Sequence, residues 1–274
     1  MKLAFIWYWD RATEIMPYWR DGLRGALEHL EKEGHTVKWY LNKELPPIDE
    51  PLDALLLWDD SNSEFFNHID KYTCKKSMIL TTDPKNIENL KKLDVVFCES
   101  TPVYEAVRKY GIRAVKAFGT DIFFYKPNPK IVKDIEYFYP ATFSPWKRQD
   151  TLAHLGNKLL CVGTIQPDGM DEFEACRRAG VQLRIGYFPA KQIRLYFQRA
   201  KKVIIPAIHG SERTVLEAMA CNIVPTINPE NKRTHSYLDE YREDVSTSPR
   251  DFVEKFYSHQ QYGYKIFHAL SSLS

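Results

Sequence analysis

Lys202 to Glu230 reads KVIIPAIHGSERTVLEAMACNIVPTINPE. An apolar strand from Val203 runs to Pro206. A short polar loop follows with His209, Gly210 and Ser211, then a helix over Arg213–Cys221, then a second apolar run over Ile223–Ile227. A strand that feeds a helix through small residues aims free backbone N–H groups and the positive end of a helix dipole at one point. That point suits a phosphate or a diphosphate. The glycine lets a ligand approach the backbone closely.

The same alternation extends in both directions. Upstream, strands are expected at Leu3–Trp7, Val37–Tyr40, Ala54–Trp58, Met78–Thr81, Val95–Cys98 and Ala114–Ala117. Helices are expected between them at Tyr18–Glu33, Ser63–Tyr72, Asn86–Lys92 and Val103–Tyr110. A proline-rich polar stretch without periodicity, Tyr125 to Lys130, has the character of an inter-domain linker. The alternation then restarts, with strands at Ile135–Pro140, Leu159–Val162, Gln182–Ile185 and Val203–Ile205. Helices are expected near Gln149–Leu155, Asp171–Ala179 and Ala190–Ala200, and the tail Arg250–Leu273 reads as one or two aromatic-rich helices. Near-continuous apolar strands alternating with helices imply parallel sheets covered on both faces. The expected architecture is α/β, two Rossmann-like domains facing a central cleft. Residues 1–125 form the first domain, 126–250 the second, and 251–274 a helical segment that packs back on the first.

The chain has 274 residues, 44% apolar, with a formal net charge of +2. It can bury two modest cores, and no global positive field marks it as a nucleic-acid binder. The five cysteines stand at no metal-ligand spacing and read as reduced core thiols. The N-terminal apolar run is too short for a signal peptide and no segment is long enough to span a bilayer, so a cytoplasmic protein is expected.

Over Val215–Pro225 the sequence resembles the sugar-nucleotide loop of the family 4 retaining glycosyltransferases of the GT-B fold, where a Glu-x7-Glu motif ends in a helix of the type V-L-E-A-M-A-x-G-x-P-V. Here the motif is His209-x7-Glu217. Ala117 to Pro127 (AFGTDIFFYKP) resembles the passage before the family's second domain, and Tyr139 to Asp150 (YPATFSPWKRQD) resembles the passage that opens it. The similarity covers most of Ala117–Ile227; in the first half it rests on element order.

The resemblance implies a hexosyl- or pentosyltransferase that uses a nucleoside-diphosphate sugar, a UDP- or GDP-sugar, without a metal. Lys147 falls on the lysine that neutralises the donor diphosphate. The family's arginine falls on Thr142, with Arg148 beside Lys147 as a substitute. Gly210, Ser211, Arg213 and Thr214 line the diphosphate, Glu217 takes the ribose hydroxyls, and Tyr187 lies where relatives hold the nucleobase. His209 replaces the first acid and is a candidate to hold a sugar hydroxyl or to protonate the leaving phosphate. The acceptor side is expected in the first half, where Asp10, Asp83 and Asp59 each end a strand. Each is a candidate base or hydroxyl ligand, and each is equally placed to be a helix N-cap. A small-molecule, lipid or polysaccharide acceptor ranks above a hydroxymethylated base in DNA. Because the first Glu, the Arg and a Gly-Gly loop are missing, a nucleotide-sugar-binding protein without activity is the competing reading.

Overall fold

The computed structural model describes residues 1–16, 20–58, 61–245 and 248–273, and the chain divides into two compact units. Asp59, one of the candidate acids, and the start of the expected Tyr18–Glu33 helix lie outside the described residues.

Unit 1 comprises Met1–Gly119 and His259–Ser274. Its strands are β1 (Lys2–Trp7), β2 (Thr36–Leu41), β3 (Ala54–Trp58), β4 (Lys75–Leu80), β5 (Val95–Cys98) and β6 (Ala114–Lys116). They form one parallel sheet in the order β2-β1-β3-β4-β5-β6. The helices between them are α1 (Ala12–Ile15), α2 (Gly22–Lys32), α3 (Ile87–Leu90) and α4 (Thr101–Arg108). The expected Ser63–Tyr72 helix is instead two 3-10 turns, Glu64–Asn67 and Ile69–Lys71. Both turns still bury their apolar side chains, Phe65, Phe66 and Ile69. Alternate residues of the central strands face opposite layers. Ala4, Ile6, Leu55, Leu57, Met78 and Leu80 pack into the layer that holds Phe65, Phe66, Val103 and Val107.

Unit 2 comprises Thr120–Ser258. Its strands are β7 (Ile135–Pro140), β8 (Leu159–Gly163), β9 (Gln182–Ile185), β10 (Ala200–Ile205) and β11 (Thr226–Ile227), parallel in the order β11-β10-β7-β8-β9. Its helices are α5 (Met170–Arg178), α6 (Ala190–Arg199), α7 (Glu212–Ala220), α8 (Lys232–Glu243) and α9 (Pro249–Phe256), with a kinked 3-10 segment at Gln149–Lys158. The expected strand over Ile223–Ile227 shrinks to two residues. Asn222 sits at φ +63° to turn the chain out of α7, and Pro225 has no N–H to give a ladder. The residues just ahead of the stretch with linker character are anchored here: Thr120 N–H donates to the Tyr257 carbonyl at 2.8 Å, and Asp121 Oδ1 accepts from the N–H groups of Phe123 and Phe124.

After α9 the chain returns to unit 1 as α10 (His259–Ser271). It packs on α2 through glycines on both sides. A Cβ added at Gly263 would stand 3.0 Å from the Ala26 carbonyl oxygen, and one added at Gly25 would stand 3.0 Å from His259 Cβ. Further along, Phe267 stacks on His35 with centroids 4.5 Å apart, and Lys75 Nζ donates to the Leu270 carbonyl at 3.0 Å.

Candidate functional site

In unit 2 the strand order reverses between β7 and β10. Ligands of open α/β sheets bind at the carboxyl ends of the strands flanking such a reversal. The loop after β7 carries Thr142 to Lys147, and the loop after β10 carries Pro206 to Ser211. The two loops meet. Ile208 N–H donates to the Trp146 carbonyl at 2.9 Å, and Lys147 Nζ donates to the His209 carbonyl at 3.2 Å and to Ser211 Oγ at 2.9 Å. Tyr139, fully buried under this junction, has its hydroxyl 3.4 Å from the same Ser211 oxygen. Burial pushes the Tyr139 phenol well above its ordinary range.

Gly210 (φ +70°) and Ser211 (φ +77°) are both left-handed, and Ser211 is the N-cap of α7. Its hydroxyl makes no capping bond to the first turn of the helix and is engaged with Lys147 instead. The amino end of α7 is therefore left without a side-chain cap, beside an ammonium group. That pairing can hold a multiply charged anion. The one acid in this first turn, Glu212, is buried and ion-paired with Arg233 of α8 at 2.6 Å, so its charge is compensated.

The structure brings together Lys147, Gly210, Ser211 and Thr214, whose hydroxyl donates to the Pro140 carbonyl at 3.4 Å. His209 supplies its carbonyl to Lys147 while the residue is exposed, as is Arg213. Glu217 is 4% exposed and accepts a hydrogen bond from the buried Tyr125 hydroxyl. Burial first, and the Glu217 charge second, hold that phenol far above its usual range. Burial together with the same carboxylate pushes the Cys221 thiol up to about 12. Arg148, left-handed at φ +54°, reaches Glu230 at 3.6 Å, and Thr142 hydroxyl is paired with that of Thr164 at 3.0 Å. Tyr187 stands half exposed just beyond β9. Asp10 and Asp83 belong to unit 1 and are both exposed. Neither is a helix N-cap, since Arg11, Asp21 and Asn86 hold those positions for α1, α2 and α3.

Two buried amides escape a sequence reading. Gln149 Nε2 donates to the Thr142 carbonyl at 2.9 Å and fixes the loop that carries Lys147. Asn231 Nδ2 donates to the carbonyls of Ala207 and Gly210 at 3.1 and 3.0 Å, while its oxygen caps α8. Both are polar residues in polar surroundings, and their partners are backbone carbonyls, which leave no residue pattern. Among the described residues, no group of three or more His, Cys, Asp or Glu side chains is placed to hold a metal, and no helix is long and apolar enough to cross a membrane.

No protein-family model matches the chain, and no curated protein matches it. Solved structures do. AviGT4, a glycosyltransferase involved in avilamycin A biosynthesis, superposes with a TM-score of 0.65 at 12% identity, over 100% of this chain and 98% of its own. An alpha-glucosyltransferase solved with UDP and a mismatch-containing DNA gives 0.61 at 10% identity, over 99% of this chain and 100% of that one. TarM gives 0.53 at 12% identity over 80% of this chain and 55% of its own. The fold is that of the GT-B glycosyltransferases, two Rossmann-like α/β units in one chain.

Proposed function

We propose that this chain is a glycosyltransferase that moves a sugar from a UDP-sugar to a hydroxyl acceptor, with retention at the anomeric carbon. The observation that carries the reading is the convergence of Lys147, Ser211 and the uncapped amino end of α7 at the strand reversal of unit 2. The GT-B fold supports it, as does the presence of UDP in the alpha-glucosyltransferase structure. Retention rests on the resemblance of Val215–Pro225 to family 4.

In this reading the diphosphate lies across Lys147 and the first turn of α7. The bond from the anomeric carbon to the β-phosphate oxygen breaks, and the acceptor oxygen bonds to that carbon. Negative charge grows on the departing phosphate as it leaves. A fixed ammonium and oriented N–H groups stabilise this charge more than they stabilise the ground state. His209 is exposed at the same loop, within reach of a sugar hydroxyl or the leaving phosphate. Glu217 accepts from the ribose hydroxyls, which suit a carboxylate's paired acceptors, and Tyr187 offers a face to the base. The acceptor's proton passes to the departing diphosphate.

The departures at Thr142 and His209 favour one second reading, a nucleotide-sugar-binding protein that does not turn over. Incubation with UDP-, GDP- and ADP-sugars, followed by release of free nucleotide, separates the two. Slow hydrolysis of one donor supports the transferase. Binding of UDP without hydrolysis of any donor, in the presence of mixed acceptors, supports the second reading.

A further inference from the structure

Arg250 stands in the first turn of α9, where its positive charge meets the positive end of its own helix dipole. Ser248 already caps that helix, accepting from the Asp251 N–H at 3.1 Å. The guanidinium serves other parts of unit 2. Its Nη1 donates to the Ala220 carbonyl at 2.9 Å, at the carboxyl end of α7, and to the Tyr125 carbonyl at 3.1 Å. Its Nη2 donates to the Ile122 carbonyl at 3.1 Å. Ala220, Ile122 and Tyr125 are all buried, so their carbonyls need donors from within the protein. A cation at the carboxyl end of α7 is also favoured by the dipole of that helix.

Tyr125 is held from several elements. Its N–H donates to the Asp121 carbonyl at 2.7 Å, and the next carbonyl along, Lys126, accepts from Gln198 Nε2 of α6 at 2.8 Å. Its ring meets Phe124 and Phe197 edge-on, with centroids 5.0 and 5.9 Å away. Its hydroxyl reaches α7, where Glu217 accepts the bond. Glu217 lies about one turn before Ala220, so the arginine grips the helix just below the carboxylate. The Cys221 thiol, next along the chain, feels the charges of both Glu217 and Arg250. A carboxylate has acceptor sites for several donors. One bond from a fixed phenol restrains the group and leaves acceptors for two vicinal hydroxyls.

We infer that Arg250 is a positioning residue for ribose recognition and acts through Tyr125: it fixes the phenol that orients the Glu217 carboxylate, and so selects nucleotides that carry both ribose hydroxyls. The inference rests on the proposed nucleotide site. It concerns selection of the ribose and not the binding of phosphate.

The experiment is calorimetry on the full chain with UDP, 2′,3′-dideoxy-UDP and inorganic pyrophosphate, with thermal midpoints read on the same samples. Wild type is expected to bind UDP at least about tenfold tighter than the dideoxy analogue, as hydrogen bonds to a charged group would give. Tyr125→Phe is expected to cut that preference to about threefold or less, with pyrophosphate affinity unchanged. Arg250→Gln should cut it to the same degree. Added to Tyr125→Phe it should lower the preference no further, because the arginine acts through the phenol. Arg250→Lys keeps the charge without the forked donors and should fall between; it carries the same reading where Arg250→Gln does not fold. A purely structural arginine would lower the thermal midpoint and leave the preference at its wild-type value. That result overturns the inference, as does full preference in Tyr125→Phe or an additive loss in the double variant. Wild type that binds pyrophosphate and UDP but ignores the ribose overturns it and leaves the phosphate site standing. Wild type that binds neither UDP nor pyrophosphate overturns the donor site and this inference together.

Discussion

Lys147 Nζ is held 2.9 Å from Ser211 Oγ, so the N-cap of α7 bonds an ammonium in place of its own helix. A helix ordinarily gains about 1 kcal/mol from a capping side chain. Here that gain is given up, and the first-turn N–H groups stay unclaimed by the cap, next to a positive charge. Lys147→Ala removes the charge and both hydrogen bonds to the loop. A charge-assisted hydrogen bond contributes about 1.5–3 kcal/mol, so UDP affinity by calorimetry is expected to fall about tenfold or more. The thermal midpoint should move little, because the lysine is only half-buried. Undiminished UDP binding would remove Lys147 from the donor site.

Gly210 tests the same junction from the backbone side. Its φ of +70° is costly for any residue with a Cβ, and an added Cβ would stand 2.7 Å from Lys147 Nζ. Gly210→Ala therefore strains the loop by about 1 kcal/mol and pushes the ammonium away. Reduced UDP affinity with a small drop in thermal midpoint is expected. A variant that loses stability but binds UDP normally would show that Lys147 finds an equivalent position.

Glu217 has a structural partner as well as a proposed ligand, and the two roles separate by experiment. Glu217→Ala leaves the Tyr125 hydroxyl buried without its acceptor, at a cost of about 1–3 kcal/mol. Adding Tyr125→Phe should recover most of that stability and none of the nucleotide affinity. Wild type should prefer UDP over its 2′,3′-dideoxy analogue, and the Glu217→Ala/Tyr125→Phe double variant should not distinguish them. Equal discrimination by both would place the ribose elsewhere.

The parts of this site that are legible in the sequence are those whose chemistry is local. The Gly210–Ser211 turn ahead of an apolar helix is visible because strand, small-residue loop and helix follow one another within a few residues. The buried strands are legible for a similar reason: Leu55, Leu56 and Leu57 are apolar in succession because both faces of β3 are covered. What stays hidden depends on distant partners. Gln149 and Asn231 are legible only once the carbonyls they hold are in place. Helix α8 escapes because KRTHSYLDEYRE buries few apolar side chains and so lacks a continuous apolar stripe. The Ser63–Tyr72 run has the composition of a helix but closes as two tighter turns, with His68 between them in an α-region conformation at φ −112°.

The buried pair of Glu212 and Arg233 lies beneath the proposed phosphate site with side chains 5% and 12% exposed. Removing one partner of such a pair strands the other, at about 3–5 kcal/mol. Arg233→Ala should lower the midpoint of urea unfolding sharply, and it should also weaken UDP binding by leaving an unpaired carboxylate in the first turn of α7. The double variant Arg233→Ala/Glu212→Gln should recover much of both. Recovery of stability without recovery of binding would show that the Glu212 charge does not act on the nucleotide.

His35 gives unit 1 a pH dependence with a definite sign. Its imidazole stacks on Phe267 of α10 and faces the N-terminal ammonium at 3.4 Å. Burial first, then that positive charge, lower its pKa below the ordinary 6.5, with Glu33 opposing them. The folded state thus binds the proton more weakly than the unfolded chain. Above pH 6.5 both states hold a neutral ring and the group contributes no pH dependence. As pH falls below 6.5 the unfolded chain gains its proton first, and stability declines until the folded pKa is passed. Urea midpoints measured from pH 8 down to pH 5 should fall in that window, and His35→Phe, which keeps an aromatic surface against Phe267, should remove that part of the slope. An unchanged slope in the variant would assign the pH dependence to other groups.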